Sequence, residues 1–259
     1  MCHTTVPDGA IRPTVSVRET LVPTRDGRVL PATLALPNGA PRGGVLIVSD
    51  ALGRSGFYEH LATLLANEGF LALVPDYFFR VSPLKDDAPE TRRARRRNEL
   101  DETQVLRDRS DGLTWLAMQP DLAGRACATL GFCMGGTLAF DLAVEWPDLR
   151  AAVSFYGYAT GEPGKALVPP PRPLDICELV RASVLCHWGD QDPGYQANDV
   201  AELERRMSAS NVEHTVRIHP GLGHGFIRES LETAESPAHT TARAAWTETV
   251  EFLHAKLHQ

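Results

Sequence analysis

Thr129-Leu130-Gly131-Phe132-Cys133-Met134-Gly135-Gly136 joins a short apolar run to an amphipathic stretch. Gly131, Cys133 and Gly135 give the pattern Gly-x-nucleophile-x-Gly, with cysteine in the central place. Such a pattern needs a very tight strand-to-helix turn, because side chains two residues either side of the nucleophile would clash. The turn lifts the sulfur above the sheet and sets it at a helix N-terminus, where the dipole favours a thiolate. A buried structural cysteine is the alternative for any single Cys. It suits Cys127 and Cys186, which lie inside predicted strands, and Cys177. It does not explain the strand–turn–helix setting of Cys133.

Outward from this turn, short apolar runs alternate with helix-period segments. Val45–Val48, Leu71–Val74, Cys127–Leu130, Ala151–Phe155, Val184–His187 and His214–Ile218 read as buried parallel strands. Three stripes have helical spacing: Phe57, Leu61, Leu64 and Leu65; Met134, Leu138, Leu142 and Trp146; Trp246, Val250, Leu253 and Leu257. Thr14–Val22 and Val29–Leu36 read as outer strands, with Pro31 suiting an edge. The alternation predicts a three-layer α/β fold with a mostly parallel central sheet and helices on both faces; the Gly-x-Cys-x-Gly turn between strand and helix narrows this to an α/β-hydrolase fold. Residues 1–259 form one domain in this reading, with 1–13 an extended N-terminal segment. Ligands in such sheets bind at the carboxyl ends of the strands.

A thiol nucleophile needs a histidine base and a carboxylate to orient it, in the chain order nucleophile, acid, histidine. His224 stands in Pro220-Gly221-Leu222-Gly223-His224-Gly225-Phe226, a glycine-rich loop just after the last predicted strand. His219 belongs to the strand end and ranks second. His3, His60, His239, His254 and His258 fall in termini or on helix faces and are read as structural. Two acids follow the preceding strand, Asp190 and Asp192. Asp192 is favoured, a few residues past the strand-ending glycine, while Asp190 is suited to a turn.

Bulk properties narrow the partners. The 259 residues are 43% apolar and carry a formal charge of −7. An acidic chain is repelled by nucleic acid and by anionic membranes. No apolar stretch is long enough to span a bilayer, and Met1–Pro13 lacks the core of a secretory signal. Five cysteines without CxxC or zinc spacing point to free thiols and a cytoplasmic location. The five arginines within Arg92–Arg97 read as a solvated helix start, and Leu167–Leu174, LVPPPRPL, as an extended loop.

With these pieces in place, the chain from about Val45 onward resembles the dienelactone hydrolase (carboxymethylenebutenolidase) family. The cysteine turn is similar to the family's elbow, Trp188-Gly189-Asp190-Gln191-Asp192 to its acid loop, and Gly223–Arg228 to its histidine loop. The resemblance aligns Asp192 with the family's acid. It implies that Arg80, in Asp76-Tyr77-Phe78-Phe79-Arg80, and Arg228 bind a substrate carboxylate. It also sets Asp50 where the family carries a glutamate that interacts with the resting cysteine. Aspartate keeps the charge and is one methylene shorter.

The expected activity is cleavage of a small, anionic ester or lactone through a Cys133–His224–Asp192 triad and a thioester. The backbone N–H groups of Met134 and Ala51 would form the oxyanion hole. No metal or organic cofactor is required. Neither nucleic acid nor membrane is an expected partner, and a monomer or small homo-oligomer is expected. The competing activities are a general carboxylesterase or thioesterase, or a biosynthetic acyltransferase. A non-catalytic binding protein of the same fold is the competing class, and a redox-sensing Cys133 a lesser one.

Overall fold

Eight short runs pair into one sheet: β1 (Ser16–Pro23), β2 (Val29–Leu36), β3 (Gly44–Val48), β4 (Leu71–Pro75), β5 (Cys127–Phe132), β6 (Ala151–Phe155), β7 (Ser183–Gly189) and β8 (His214–His219). In this computed structural model, which describes residues 3–81, 88–160, 171–233 and 236–258, the strand order is β1-β2-β4-β3-β5-β6-β7-β8. β4, β3 and β5–β8 run parallel, and β2 is antiparallel to both β1 and β4. Strands β3 to β7 are buried at every position. This is why they read as continuous apolar runs without alternation: both faces of the sheet are covered. The fold is that of the α/β hydrolases.

The helices are α1 (Gly56–Asn67), α2 (Pro89–Glu99), α3 (Glu102–Ala117), α4 (Met134–Glu145), α5 (Pro173–Ile176), α6 (Ala197–Ala209) and α7 (Pro237–Leu257). Phe57, Leu61 and Leu65 bury the inner face of α1. α4 is enclosed all round, with Met134 to Ala143 buried without a break. Such a helix is apolar on every side because it sits between sheet and neighbouring helices. The arginine run lies in α2, where Arg95 pairs with Glu99 one turn on. Among the described residues no helix is long and apolar enough to cross a membrane.

Two sequence expectations need correction. β2 is not an edge strand; it lies between β1 and β4. Pro31 is tolerated because the β2–β4 ladder begins at Ala32, so its missing N–H falls outside that pairing. The buried stripe of α7 is Ala242, Ala245, Thr249, Leu253 and Leu257 rather than one through Trp246 and Val250, which are only half-buried. Small residues let this helix lie close to the sheet, and the larger side chains flank the contact. Half of the predicted proline-rich loop, residues 167–170, lies outside the described residues, and its last two residues, Pro173 and Leu174, open the short helix α5 instead of continuing an extended loop.

Candidate active site

The turns that leave the carboxyl ends of β3, β5, β6 and β7, and the loop after β8, meet at one end of the sheet. Cys133 caps α4 with φ 57° and ψ −123°. A non-glycine residue in this region is strained by about 1–3 kcal/mol, and the surrounding structure must hold it there. Two glycines do so. A Cβ on Gly131 would lie 2.0 Å from the carbonyl oxygen of Gly135, and one on Gly135 2.0 Å from that of Val48. The elbow therefore packs backbone against backbone on the end of β3. That contact brings the Asp50–Ala51 turn close to the start of α4, where Met134 is the first residue.

His224 Nδ1 lies 2.7 Å from Asp192 Oδ2, and Asp192 is buried. Asp192 Oδ1 accepts from the Gly194 N–H at 2.7 Å, which fixes the carboxylate. The Cys133 thiol is within hydrogen-bonding reach of the same imidazole. Burial works against a charged His224, but the bonds to Asp192 and Cys133 outweigh it and raise its pKa to about 9. The structure thus gathers Cys133, His224 and Asp192. Asp190 is turned elsewhere: its carboxylate accepts from the Gly221 N–H at 2.7 Å and braces the histidine loop from outside. His219 faces His187, with Nε2 and Nδ1 3.0 Å apart.

Asp50 is 1% exposed and close enough to Cys133 for their charges to interact. Its two oxygens accept from the main-chain N–H groups of Leu52 and His3, both at 2.7 Å. Burial raises its pKa to about 7, and Cys133 pushes the same way, against the hydrogen bonds from Leu52, His3 and Tyr58.

The two arginines fare differently. Arg228 is on the short 3-10 helix Phe226–Leu231, next to the histidine loop, and donates to Glu232 at 2.6 Å. Arg80 donates through Nε and Nη2 to Asp108 and through Nη1 and Nη2 to Asp26. Its fork is committed to two carboxylates of the protein, one of them buried Asp108. Arg80 is therefore held in an ion pair with the protein's own carboxylates, where the resemblance implies a substrate carboxylate.

Three site residues escaped the sequence reading. Tyr158 brings its hydroxyl 3.9 Å from Cys133 Sγ, with its main chain tied to Thr137. Tyr156, at φ 42°, sets its ring 4.8 Å from that of His224. Aromatic residues after a strand give no motif, so only the SFYGY run at the end of β6 hinted at them. His3, read from sequence as structural, is instead 4% exposed and in the site, against Asp50, Phe57 and Tyr156.

The chain is similar to several known proteins. A model of the dienelactone hydrolase family matches residues 30–257. Carboxymethylenebutenolidase of Rhodococcus opacus is 30% identical over 213 residues, 82% of this chain and 81% of that one. A Bradyrhizobium protein named "Probable 2-oxo-3-(5-oxofuran-2-ylidene)propanoate lactonase" is 32% identical over 230 residues, 86% of this chain and 88% of its own. The crystal structure of a dienelactone hydrolase-like promiscuous phosphotriesterase from metagenomic libraries superposes with a TM-score of 0.71. It is 22% identical, with 96% of this chain and 99% of that one covered.

Proposed function

Because the chain belongs to the dienelactone hydrolase family, whose activity is ester and lactone hydrolysis, we propose that it cleaves a small carboxylate-bearing lactone or ester with Cys133 as nucleophile. One observation carries this reading: Cys133, on its strained turn, shares the His224 imidazole with Asp192, 2.7 Å from Nδ1. An imidazole that keeps its proton up to about pH 9 beside a sulfur favours the thiolate–imidazolium pair.

The thiolate attacks the substrate carbonyl and forms the C–S bond. The resulting oxyanion is held by the N–H groups of Met134 and Ala51, each worth ~10²–10³ in rate in such sites. Collapse breaks the C–O bond. His224 gives its proton to the leaving oxygen, which in a lactone stays tethered to the acyl group. The neutral imidazole then takes a proton from water, whose oxygen displaces the sulfur and regenerates the thiolate–imidazolium pair. Asp192 holds the Nδ1 tautomer throughout and stabilises the imidazolium.

Arg228 supports an anionic substrate, because a guanidinium beside the histidine loop can pair with a carboxylate remote from the scissile bond. The name of the Bradyrhizobium relative describes a lactone that also bears a carboxylate. The test is loss of dienelactone ultraviolet absorbance with the purified protein, alongside Cys133→Ala. Turnover by the wild type alone supports the reading, and turnover by both proteins removes Cys133 from the chemistry.

A further inference from the structure

The N-terminal segment packs against the site before the sheet begins. At Gly9, φ 81°, a Cβ would lie 2.8 Å from Thr233 Cγ2, just beyond the Phe226–Leu231 helix. Pro7 is buried, and His3 lies in the site against Asp50, Phe57 and Tyr156. His3 is held along its main chain and by its ring. Its N–H donates to Asp50 Oδ2 at 2.7 Å, and its carbonyl accepts from the Ser55 hydroxyl at 2.8 Å. The imidazole lies 4.4 Å from the Phe57 ring, centroid to centroid, with Nε2 3.4 Å from the Tyr156 hydroxyl. The Gly225 carbonyl, next to His224, is also within its reach. The charged or titratable neighbours of the imidazole include His224, Arg228, the Tyr156 hydroxyl and the terminal ammonium. Those of Asp50 are Cys133 and Tyr58.

We propose that His3 is a residue of the active site with two separate tasks: its imidazole walls the substrate pocket between Tyr156 and Arg228, and its main-chain N–H positions the Asp50 carboxylate beside Cys133. The proposal rests on Cys133 being the nucleophile. It makes His3 a specificity residue through its ring and a positioning residue through its backbone. Burial makes the ring a neutral wall, because it drives the pKa of His3 down to about 3, with Arg228 and His224 acting in the same direction. A neutral wall adds no second positive charge beside Arg228, which is paired with Glu232.

Two substitutions separate the tasks, because alanine keeps the backbone N–H at position 3 and proline removes it. His3→Ala takes away only the wall. The ratio of kcat/KM for 4-nitrophenyl butyrate to that for the acetate should rise about 10-fold, as expected when room for one or two methylenes opens. The pH profile of Cys133 alkylation by iodoacetamide, read by peptide mass spectrometry, should not move. His3→Pro takes away the wall and one donor to Asp50. Asp50 then stays uncharged to higher pH and opposes the thiolate less, so the alkylation midpoint should fall by about half a unit or more, besides the change in selectivity. Unchanged selectivity in His3→Ala, or the same alkylation profile in His3→Ala and His3→Pro, overturns the proposal. Failure of the underlying reading has a different signature: hydrolysis that survives in Cys133→Ala.

Discussion

Asp192 and His224 stand 32 residues apart in the chain and 2.7 Å apart in the fold, joined through the ends of β7 and β8. The pairing of these two parallel strands sets that distance. The register Gly189↔His219 brings the two following loops side by side, and Gly189 allows the close approach, since a Cβ there would meet the Leu222 carbonyl at 2.1 Å.

Loss of the Asp192 carboxylate should lower the pKa of His224 from about 9 towards that of a free imidazole. Burial opposes the charged ring, and the bond to Asp192 does most to overcome it. Asp192→Asn should therefore bring down the alkaline limb of the kcat/KM profile and cost ~10²–10⁴ in rate. An alkaline limb unmoved in this variant would contradict the assignment.

Asp50 should make the protein less stable as pH rises. Its pKa is raised to about 7 in the fold, against ~4 in an unfolded chain. Between these values the native state holds a proton that the unfolded state has released. Its contribution is fully present below ~4 and is lost as pH rises through about 7. The protonation of His224, retained to about 9, fades in the same direction above neutrality. Urea unfolding between pH 4.5 and 8, run as ~1 unit steps, should show a decline that Asp50→Asn flattens. Parallel curves for the two proteins would refute it.

The two arginines should separate cleanly. Arg80→Ala leaves buried Asp108 without its ion-pair partner and should destabilise the fold by about 3–5 kcal/mol, with the preference for anionic over neutral substrates unchanged. Arg228→Ala should leave stability within about 1 kcal/mol, because its ion pair with Glu232 is on the surface, and should raise KM for carboxylated lactones more than for neutral esters. Thermal unfolding beside the two KM values checks both. A reversed pattern would return Arg80 to the substrate.

Much of this was legible in the sequence because the physics was local. Buried parallel strands need short apolar runs, and the elbow needs glycines at two fixed positions, so both leave marks in consecutive residues. The rest depends on chain segments far apart. The sequence favours Asp192 over Asp190 by its place past the strand-ending glycine, but only the closing of β8 on β7 brings its carboxylate to the imidazole. Arg80 looks available until Asp26 and Asp108, 54 and 28 residues away, pair with it. His3 lies in a polar segment with no periodicity, and its place is set by hydrogen bonds to Asp50 and Ser55.

The central claim is that acyl transfer passes through the Cys133 sulfur. Its most direct test is rapid quenching of the protein with a slowly deacylating ester, followed by peptide mass spectrometry. The account predicts an acyl mass on the peptide containing Cys133, sensitive to hydroxylamine and absent from Cys133→Ala. An acyl group on another residue, or steady turnover with Cys133 never acylated, would contradict it.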